Sequence, residues 1–476
     1  MTDFRNLKSP QVHSRNKGVY LIDCQILRKE LARRKVAVFN AVDASWSAIP
    51  IALTPTTVEA SEWESLEHDG RLIFGVFLKV LRWLQCPSQN NLAKNLFDGL
   101  SDFEKEFVTS DSSECWGHVT IRMDLFWHHG NIKIIEVNCT IPAMQAYSDN
   151  VFNAWARAGG EVHGESRNSE QLLESLVAMY RLDGGRLARP RIVILHREGD
   201  SQLGELLWFQ KEWTARGFET LLADPTRISR MGDLWVVDDT PCDLVYRHIF
   251  AFRLSGHEAG QQIKKNRNCH MYNPISAHFE AKAFLALVSQ LAGDQRLAAE
   301  VEMTEEEISA ITNRVPQSRI LGRDLVDRTL GASGSDKRDR MGINLSSTVL
   351  KRSIGYGGHQ VIMGDTWRTE DTQTNLRQMT NMEGEITFEK FYEWVLEHDD
   401  SLWIIQERMS GARRKTQVLT SHGLEIWDAF FDASIFINSR TAPICRGGVS
   451  RVSTSPIVNI GKGGGLAPFL IVTNGI

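Results

Sequence analysis

A chain of 476 residues that is 42% hydrophobic and 24% charged has the proportions of an ordinary globular protein. At roughly 150 residues per domain it has room for about three folding units. Its 54 Lys and Arg against 59 Asp and Glu give a formal charge of −5, which excludes a strongly basic nucleic-acid binder as the default. No apolar run approaches the roughly 20 residues that cross a bilayer. The opening MTDFRNLKSPQ lacks the apolar core of a signal peptide, so the expected location is cytoplasmic, with no membrane partner. Cysteines at 24, 86, 115, 139, 242, 269 and 445 are scattered without a CxxC pair, against a disulfide framework or a zinc knuckle.

The first 110 residues carry no chemical signature; Leu72 to Leu84 is apolar enough for a packed helix. Between Trp116 and Pro142 two β-rich runs flank His129-Gly130-Asn131 and predict a hairpin. A helix follows over Glu170 to Arg181, with Leu173, Leu176, Val177 and Tyr180 as its buried stripe. ARPRIVILHR reads as a strand, and SQLGELLWFQKEWTARG as a helix with Leu203, Leu206, Leu207, Gln210 and Trp213 near one face. FETLLAD, DLWVV and CDLVYRHIF are further strands, and this spacing implies a parallel α/β lobe of about a hundred residues. His278 to Leu291 is helical, and Thr304 with Glu307 forms a capping box at the start of another helix. Gly331 to Gly342 reads as an exposed loop. SSTVLKRS, SLWIIQERM, GLEIWDAFFDASIFIN and GGVSRVSTSPIVN read as an antiparallel sheet with few helices, so the fold class is α/β plus α+β.

In the hairpin, Arg122 and Asp124 share one strand face and Glu136 and Asn138 share another. A turn centred on Gly130, with an odd three-residue loop, sets Asp124 opposite Glu136 and Arg122 opposite Asn138. Met123, Leu125, Ile135 and Val137 are then their apolar neighbours. Hard oxygen ligands in that register suit Mg²⁺, and an Arg beside them can neutralise charge on a phosphoryl group or oxyanion. Ordinary cross-strand pairing on an exposed face is the structural alternative. His128 and His129 next door invite a transition-metal reading, weakened because adjacent strand residues point to opposite faces.

VLKRSIGYGGHQVIMG runs Lys351 into Gly355, Gly357 and Gly358, where backbone N–H groups can turn around a phosphate under the Lys charge. The Lys precedes the glycines, so this is not a P-loop, and a plain Gly-rich hairpin is the alternative. Lys282, in the helix from His278, would ordinarily reach out to solvent. SLWIIQERM ends as a hinge strand offering backbone groups to an adenine would, and a buried strand reaching the surface is the alternative.

Taken together and in this order, the pieces resemble the circularly permuted ATP-grasp ligases, especially the synthetase portion of the glutathionylspermidine synthase family, over roughly Gly117 to Asn459. The RxD and ExN strands, the Lys282 helix, Lys351 with its glycines, Gln406-Glu407, and Arg451 in GGVSRVS carry the resemblance. It implies an ATP-grasp fold in permuted order with a Rossmann-like lobe. The implied division is an N-terminal region 1–185 bearing the hairpin 117–138, a Rossmann-like lobe 186–290, and a nucleotide-binding region 291–476. It also implies that Asp124, Glu136 and Asn138 hold Mg²⁺ and that Lys282, Lys351, Gly357 and Gly358 contact ATP phosphates. Gln406, Glu407, Arg408 and Met409 would receive the adenine, while Arg122 and Arg451 would serve the acyl-phosphate chemistry. The chain departs from the family in a long polar insertion between Lys282 and Lys351, in a loose match over CTIPAMQAYSD, and in lacking a visible Cys/His amidase domain. The polyamine and glutathione substrates therefore do not carry over.

The function expected is ATP-dependent joining of a small-molecule carboxylate to an amine through an acyl-phosphate, with ATP and Mg²⁺ as cofactors. The alternatives are a small-molecule phosphotransferase and a non-catalytic nucleotide-binding protein. A metal-dependent hydrolase would need His ligands that the hairpin does not clearly offer.

Overall fold

The computed structural model describes residues 11–13, 19–108, 118–128, 131–161, 166–232, 234–265, 270–321, 344–355, 360–398, 402–409, 411–438 and 447–473. The apolar run Leu72–Leu84 is the second half of a longer helix, α1 (Ala60–Leu84), which follows the short strand β1 (Ile51–Ala52). Its Ile73, Phe77 and Val80 pack into the main core with Ile121, Met123 and Leu125 of β2 (Thr120–His128) and Ile132, Ile134 and Val137 of β3 (Asn131–Asn138). β2 and β3 are the expected hairpin, and Asp124 does face Glu136 while Arg122 faces Asn138. The parity is reached differently, however. His128 pairs with Asn131, leaving two residues in the loop rather than three, and a bulge between Asp124 and Leu125 restores the register. The residue left over is Ile135, which turns from the core to the cavity, as the extra residue of a bulge must go somewhere.

Next come α2 (Gln145–Arg157) and α3 (Asn168–Leu182), the latter burying Leu173, Leu176, Val177 and Tyr180 as its spacing requires. β4 (Ile192–His196), α4 (Leu203–Ala215), β5 (Thr220–Ala223), β6 (Leu244–His248) and β7 (Met271–Tyr272) build a four-stranded parallel sheet in the order β5-β4-β6-β7. β4 buries Ile192 and Ile194 on one face and Val193 and Leu195 on the other, as a sheet covered on both sides demands. In α4 the buried stripe is Glu205, Leu206, Phe209 and Trp213, whereas Leu203, Leu207 and Gln210 are only partly covered. The helix is therefore rotated from the expected face, because Glu205 has a buried task described below. DLWVV lies outside this sheet, in a small antiparallel one.

His278–Glu280 is a 3₁₀ turn, and the true helix α5 (Lys282–Ala292) begins at Lys282 itself. The expected capping box is present at α6 (Glu305–Arg314): Glu307 N–H donates to Thr304 Oγ1 at 3.2 Å, and Thr304 N–H to Glu307 Oε2 at 2.8 Å. β8 (Ser318–Leu321), β9 (Thr348–Arg352), β10 (Val361–Met363) and β11 (Trp403–Glu407) form an antiparallel sheet ordered β8-β11-β9-β10. Two helices the sequence reading did not anticipate, α7 (Glu370–Thr380) and α8 (Phe388–Glu397), cover its Leu350, Ile362, Trp403 and Ile405 face. That face is apolar and must be buried.

β12 (Ala412–Thr420), β13 (Gly423–Asn438), β14 (Gly448–Ser453) and β15 (Gly465–Ala467) complete a seven-stranded sheet, β12-β1-β15-β14-β13-β2-β3. β12 also pairs with the first half of β13, closing five of these strands on themselves, while the second half of β13 carries the hairpin. The fold is thus mixed α/β with several sheets. Among the described residues no helix is long and apolar enough to cross a membrane. The expected loop Gly331–Gly342 lies outside the described residues, as do Gly357, Gly358 and His129.

Candidate active site

Strand alternation puts Ile121, Met123 and Leu125 into the core and therefore turns Arg122, Asp124 and Phe126 to the opposite side. There they line a cavity of about 580 Å³, together with Glu136, Asn138, Lys351, Gln406, Glu407, Arg408, Met409 and Arg451. Its volume lies within the range of small-molecule sites. Of the described residues expected at the site, only Lys282 is not in the lining, and it reaches the same place from behind.

Arg122 is not a surface residue. It is 8% exposed, its Nε and Nη2 donate to Asp124 Oδ1 and Oδ2 at 2.7 and 3.2 Å, and its Nη1 donates to the Ala143 carbonyl at 3.1 Å. Arg451 approaches from β14, donating from Nη2 to Asp124 Oδ2 at 3.0 Å and to Asp432 Oδ2 at 2.6 Å. Ser434, opposite Asp124 across β13 and β2, donates to Oδ1 at 2.9 Å. Asp124 thus receives four donors, which fills the acceptor capacity of a carboxylate. Burial opposes its ionisation, but Arg122 and then Arg451 outweigh burial and hold its carboxyl well below the usual carboxylate range. Burial pushes Asp432 the other way, up to about 6, against the pull of Arg451.

Asp432 and Ser434 were absent from the sequence reading. The signal for them was a carboxylate inside the apolar run FFDASIFIN, since a charge on a buried strand needs a partner. Glu280 was also missed as a site residue. Its Oε1 accepts from Cys139 N–H, Thr140 N–H and Thr140 Oγ at 2.6–2.7 Å, pinning the chain where it leaves the hairpin.

Lys351 is buried, donating from Nζ to Gln406 Oε1 at 2.7 Å and to the Ile135 carbonyl at 3.3 Å, the bulge residue. Burial, with Lys282 adding to it, lowers its ammonium to about 8, against the opposing pull of Glu136 and Asp124. Lys282 does not reach out to solvent. From the first turn of α5 it donates to the Gly355 carbonyl at 2.8 Å and stands 3.4 Å from Glu136 Oε1. Gln406 is a link rather than an open group, since its Nε2 donates to Ser318 Oγ at 3.1 Å. The Glu407 and Arg408 N–H groups donate to the Gln317 and Ser347 carbonyls, both at 2.8 Å, and the Arg408 side chain pairs with Asp365.

For a magnesium ion the donor set on this wall is chemically apt, since Asp124, Glu136 and Asn138 all offer hard oxygens. Glu136 is about a third exposed toward the cavity, and the Asn138 Nδ2 is buried without a hydrogen-bond partner among the described residues. No protein bond from that nitrogen fixes which way the amide oxygen points. Asp124 meets a metal only if one of its four donors withdraws. Among the described residues no group of three or more His, Cys, Asp or Glu forms a metal cluster.

No protein-family model matches the chain, and no curated protein matches it significantly. In fold it is similar to the glutathione synthetase-like effector GSS30 from Globodera pallida in its apo form, with a TM-score of 0.55 at 12% identity over 97% of this chain and 100% of that one. A proposed γ-glutamylcysteine synthetase from Methylobacillus flagellatus KT aligns over 84% of this chain and 88% of that one, at 12% identity and a TM-score of 0.37, a likeness too slight to define a fold. The first likeness establishes the fold class and not the chemistry.

Proposed function

We propose that this chain is an ATP-dependent ligase of the ATP-grasp type, joining a carboxylate to an amine through an acyl-phosphate. The observation that carries the reading is the convergence on one cavity of a buried and a half-buried arginine, a buried lysine and the end of a hinge strand, with a second lysine directly behind. Such a set has no use for a nucleophilic side chain; its means are positioning and charge. The ordering of the hairpin before the lysines and hinge agrees with the permuted arrangement of the glutathionylspermidine synthase family. The effector with the similar fold is described as glutathione synthetase-like, which agrees with ligation.

In this reading the adenine lies against Gln406–Met409, and Lys351 and Lys282 face the phosphates, which Gly357 and Gly358 would also contact. Glu136 and Asn138 would hold Mg²⁺, with Asp124 joining them once Ser434 releases it, and the ion would supply charge that neutralises phosphate. Arg122 and Arg451 are held rigidly by Asp124 and Asp432, so they need no reorganisation when charge grows on the phosphoryl group and the acyl oxygen. The carboxylate substrate attacks the terminal phosphoryl group; the amine then displaces phosphate from the acyl carbon. Calorimetry with ATP and Mg²⁺, followed by a screen for phosphate release over carboxylates and amines, tests the reading. Phosphate release that needs both substrates supports ligation. Phosphoryl transfer to one substrate without phosphate release would replace it with the phosphotransferase reading, and no nucleotide binding at millimolar concentration would end both.

A further inference from the structure

The cavity continues past the hairpin to a wall of different chemistry, built by Tyr147 of α2, Asp200 and Gln202 before α4, His248 at the end of β6, and Phe250 and Arg253 after it. His248 is 1% exposed, and among the described residues neither of its ring nitrogens has a hydrogen-bond partner. Its Nδ1 lies 3.9 Å from Asp200 Oδ2, an ion-pair and not a hydrogen-bond separation. Asp200 is itself buried, with Oδ1 accepting the Gln202 N–H at 2.8 Å and Oδ2 3.7 Å from Arg197 Nε. Burial alone would raise this carboxyl, but His248, the Gln202 N–H and Arg197 hold it below its ordinary value.

The wall adjoins the reaction centre. Arg122 donates to the Ala143 carbonyl, and the next N–H, of Met144, donates at 3.0 Å to Glu205, which also accepts from Ala146 at 2.8 Å. This is the buried task that sets the rotation of α4. The charged and titratable groups around His248 are His196, opposite it on β4, Arg197 and Asp200 between β4 and α4, Glu205 of α4, Arg253 after β6, and Tyr147 of α2. Its strand neighbours are Tyr246, whose ring centroid is 6.2 Å away, and Arg247, whose guanidinium is taken by the carbonyls of Thr140, Ile249 and Pro274.

An amine arrives largely as an ammonium, because alkylamines titrate near lysine's ordinary value of about 10.4, and without losing a proton it has no lone pair for attack. The acids of the phosphate half are committed to Arg122, Arg451 and Lys282 and are not free to take that proton. An imidazole changes charge between about pH 5 and 8 and is suited to the transfer. We propose that the amine-bearing substrate binds against this wall, with His248 accepting its proton and Asp200 holding the imidazolium that results. The inference rests on the ligase reading for its chemistry. The ammonium first passes one proton to the imidazole nitrogen remote from Asp200, and the lone pair this frees forms the C–N bond. The bond from the acyl carbon to the phosphate oxygen breaks with its electrons leaving on phosphate, which takes the nitrogen's second proton and departs as hydrogen phosphate.

Two measurements on the full chain test this. In the first, the His248 ring resonances, assigned by their loss in His248→Gln, are followed by NMR. They should move on adding methylammonium chloride but not tetramethylammonium chloride, and the response should weaken in Asp200→Asn. No response to methylammonium overturns the amine site. In the second, ATP, Mg²⁺ and a mixture of amino acids and short peptides as carboxylates are offered either methylamine or hydroxylamine, the latter unprotonated at neutral pH. His248→Gln should slow amide formation on the order of a hundredfold more than hydroxamate formation. Equal losses with both nucleophiles overturn the proton-acceptor role. A specific His248 response to methylammonium with no hydroxamate from any carboxylate supports the amine site while rejecting the ligase reading, so the two fail separately.

Discussion

On the two sides of the hairpin, charge is handled in opposite ways. In the arginine–aspartate lattice of Arg122, Asp124, Asp432 and Arg451, each guanidinium meets a carboxylate directly at 2.6–3.2 Å. In the lysine half, Lys351 donates only to a side-chain amide and a carbonyl, and Lys282 shares Glu136 at 3.4 Å. Burial is similar in both, so the difference lies in compensation. The lattice holds Asp124 ionised well below the usual range, whereas burial drives Lys351 down to about 8 because the pull of Glu136 and Asp124 falls short of its desolvation. A compensated network is a rigid frame; an under-compensated cation is a place for an anion that arrives later.

That contrast can be broken from either side. The largest effect is expected for Asp124→Ala, which leaves the buried Arg122 and the half-buried Arg451 each short of a partner. Breaking such a pair costs about 3–5 kcal/mol of stability, readable by urea denaturation. A loss under about 1 kcal/mol would mean the lattice is not the frame. Arg122→Ala should lower turnover on the order of a hundredfold while changing ATP affinity far less, since its charge matters most where charge develops. Near-normal steady-state turnover would return Arg122 to a purely structural role. Lys351→Met should weaken ATP binding about tenfold, the scale of one charge-assisted hydrogen bond, by calorimetry. Unchanged affinity would move the phosphates away from β9.

A smaller effect is expected from pH. Lys351 carries its charge below about 8 and loses it above, so its attraction for ATP is present at pH 7 and falls away as pH rises toward 9. The weakening should be a few-fold, and Lys351→Arg should flatten it, because a guanidinium stays protonated there. A wild-type affinity flat from pH 7 to 9 would show that Lys351 does not meet the phosphates as a titrating cation. The smallest effect belongs to Arg413→Ala. This residue's 2.8 Å pair with Asp428 is about half exposed on both sides, and its loss should cost less than about 1 kcal/mol. A larger loss would show that exposure is not what separates this pair from the lattice.

Much of this was legible along the chain. Alternation in RMD and EVN placed Arg122, Asp124, Glu136 and Asn138 on one side of a hairpin, the 3.6-residue period located α3, and Thr304 with Glu307 marked the start of α6. These are local regularities, decided by geometry within a few residues. Other features needed the packed molecule. The bulge at Ile135 substitutes for a third loop residue, and α4 turns so that Glu205 can meet the N–H groups of Met144 and Ala146. Asp432 becomes Arg451's partner only because β13 and β14 lie side by side, and His248 and Asp200 meet because β6 ends beside the start of α4. The sequence by itself determined many of the helices and strands, though not α7 and α8, and which polar residues share a face, because backbone geometry repeats over two to four residues. Which charge meets which was decided only by the tertiary structure, because residues as far apart as 124 and 451 are brought to 3.0 Å by sheet order, and no local period encodes that separation.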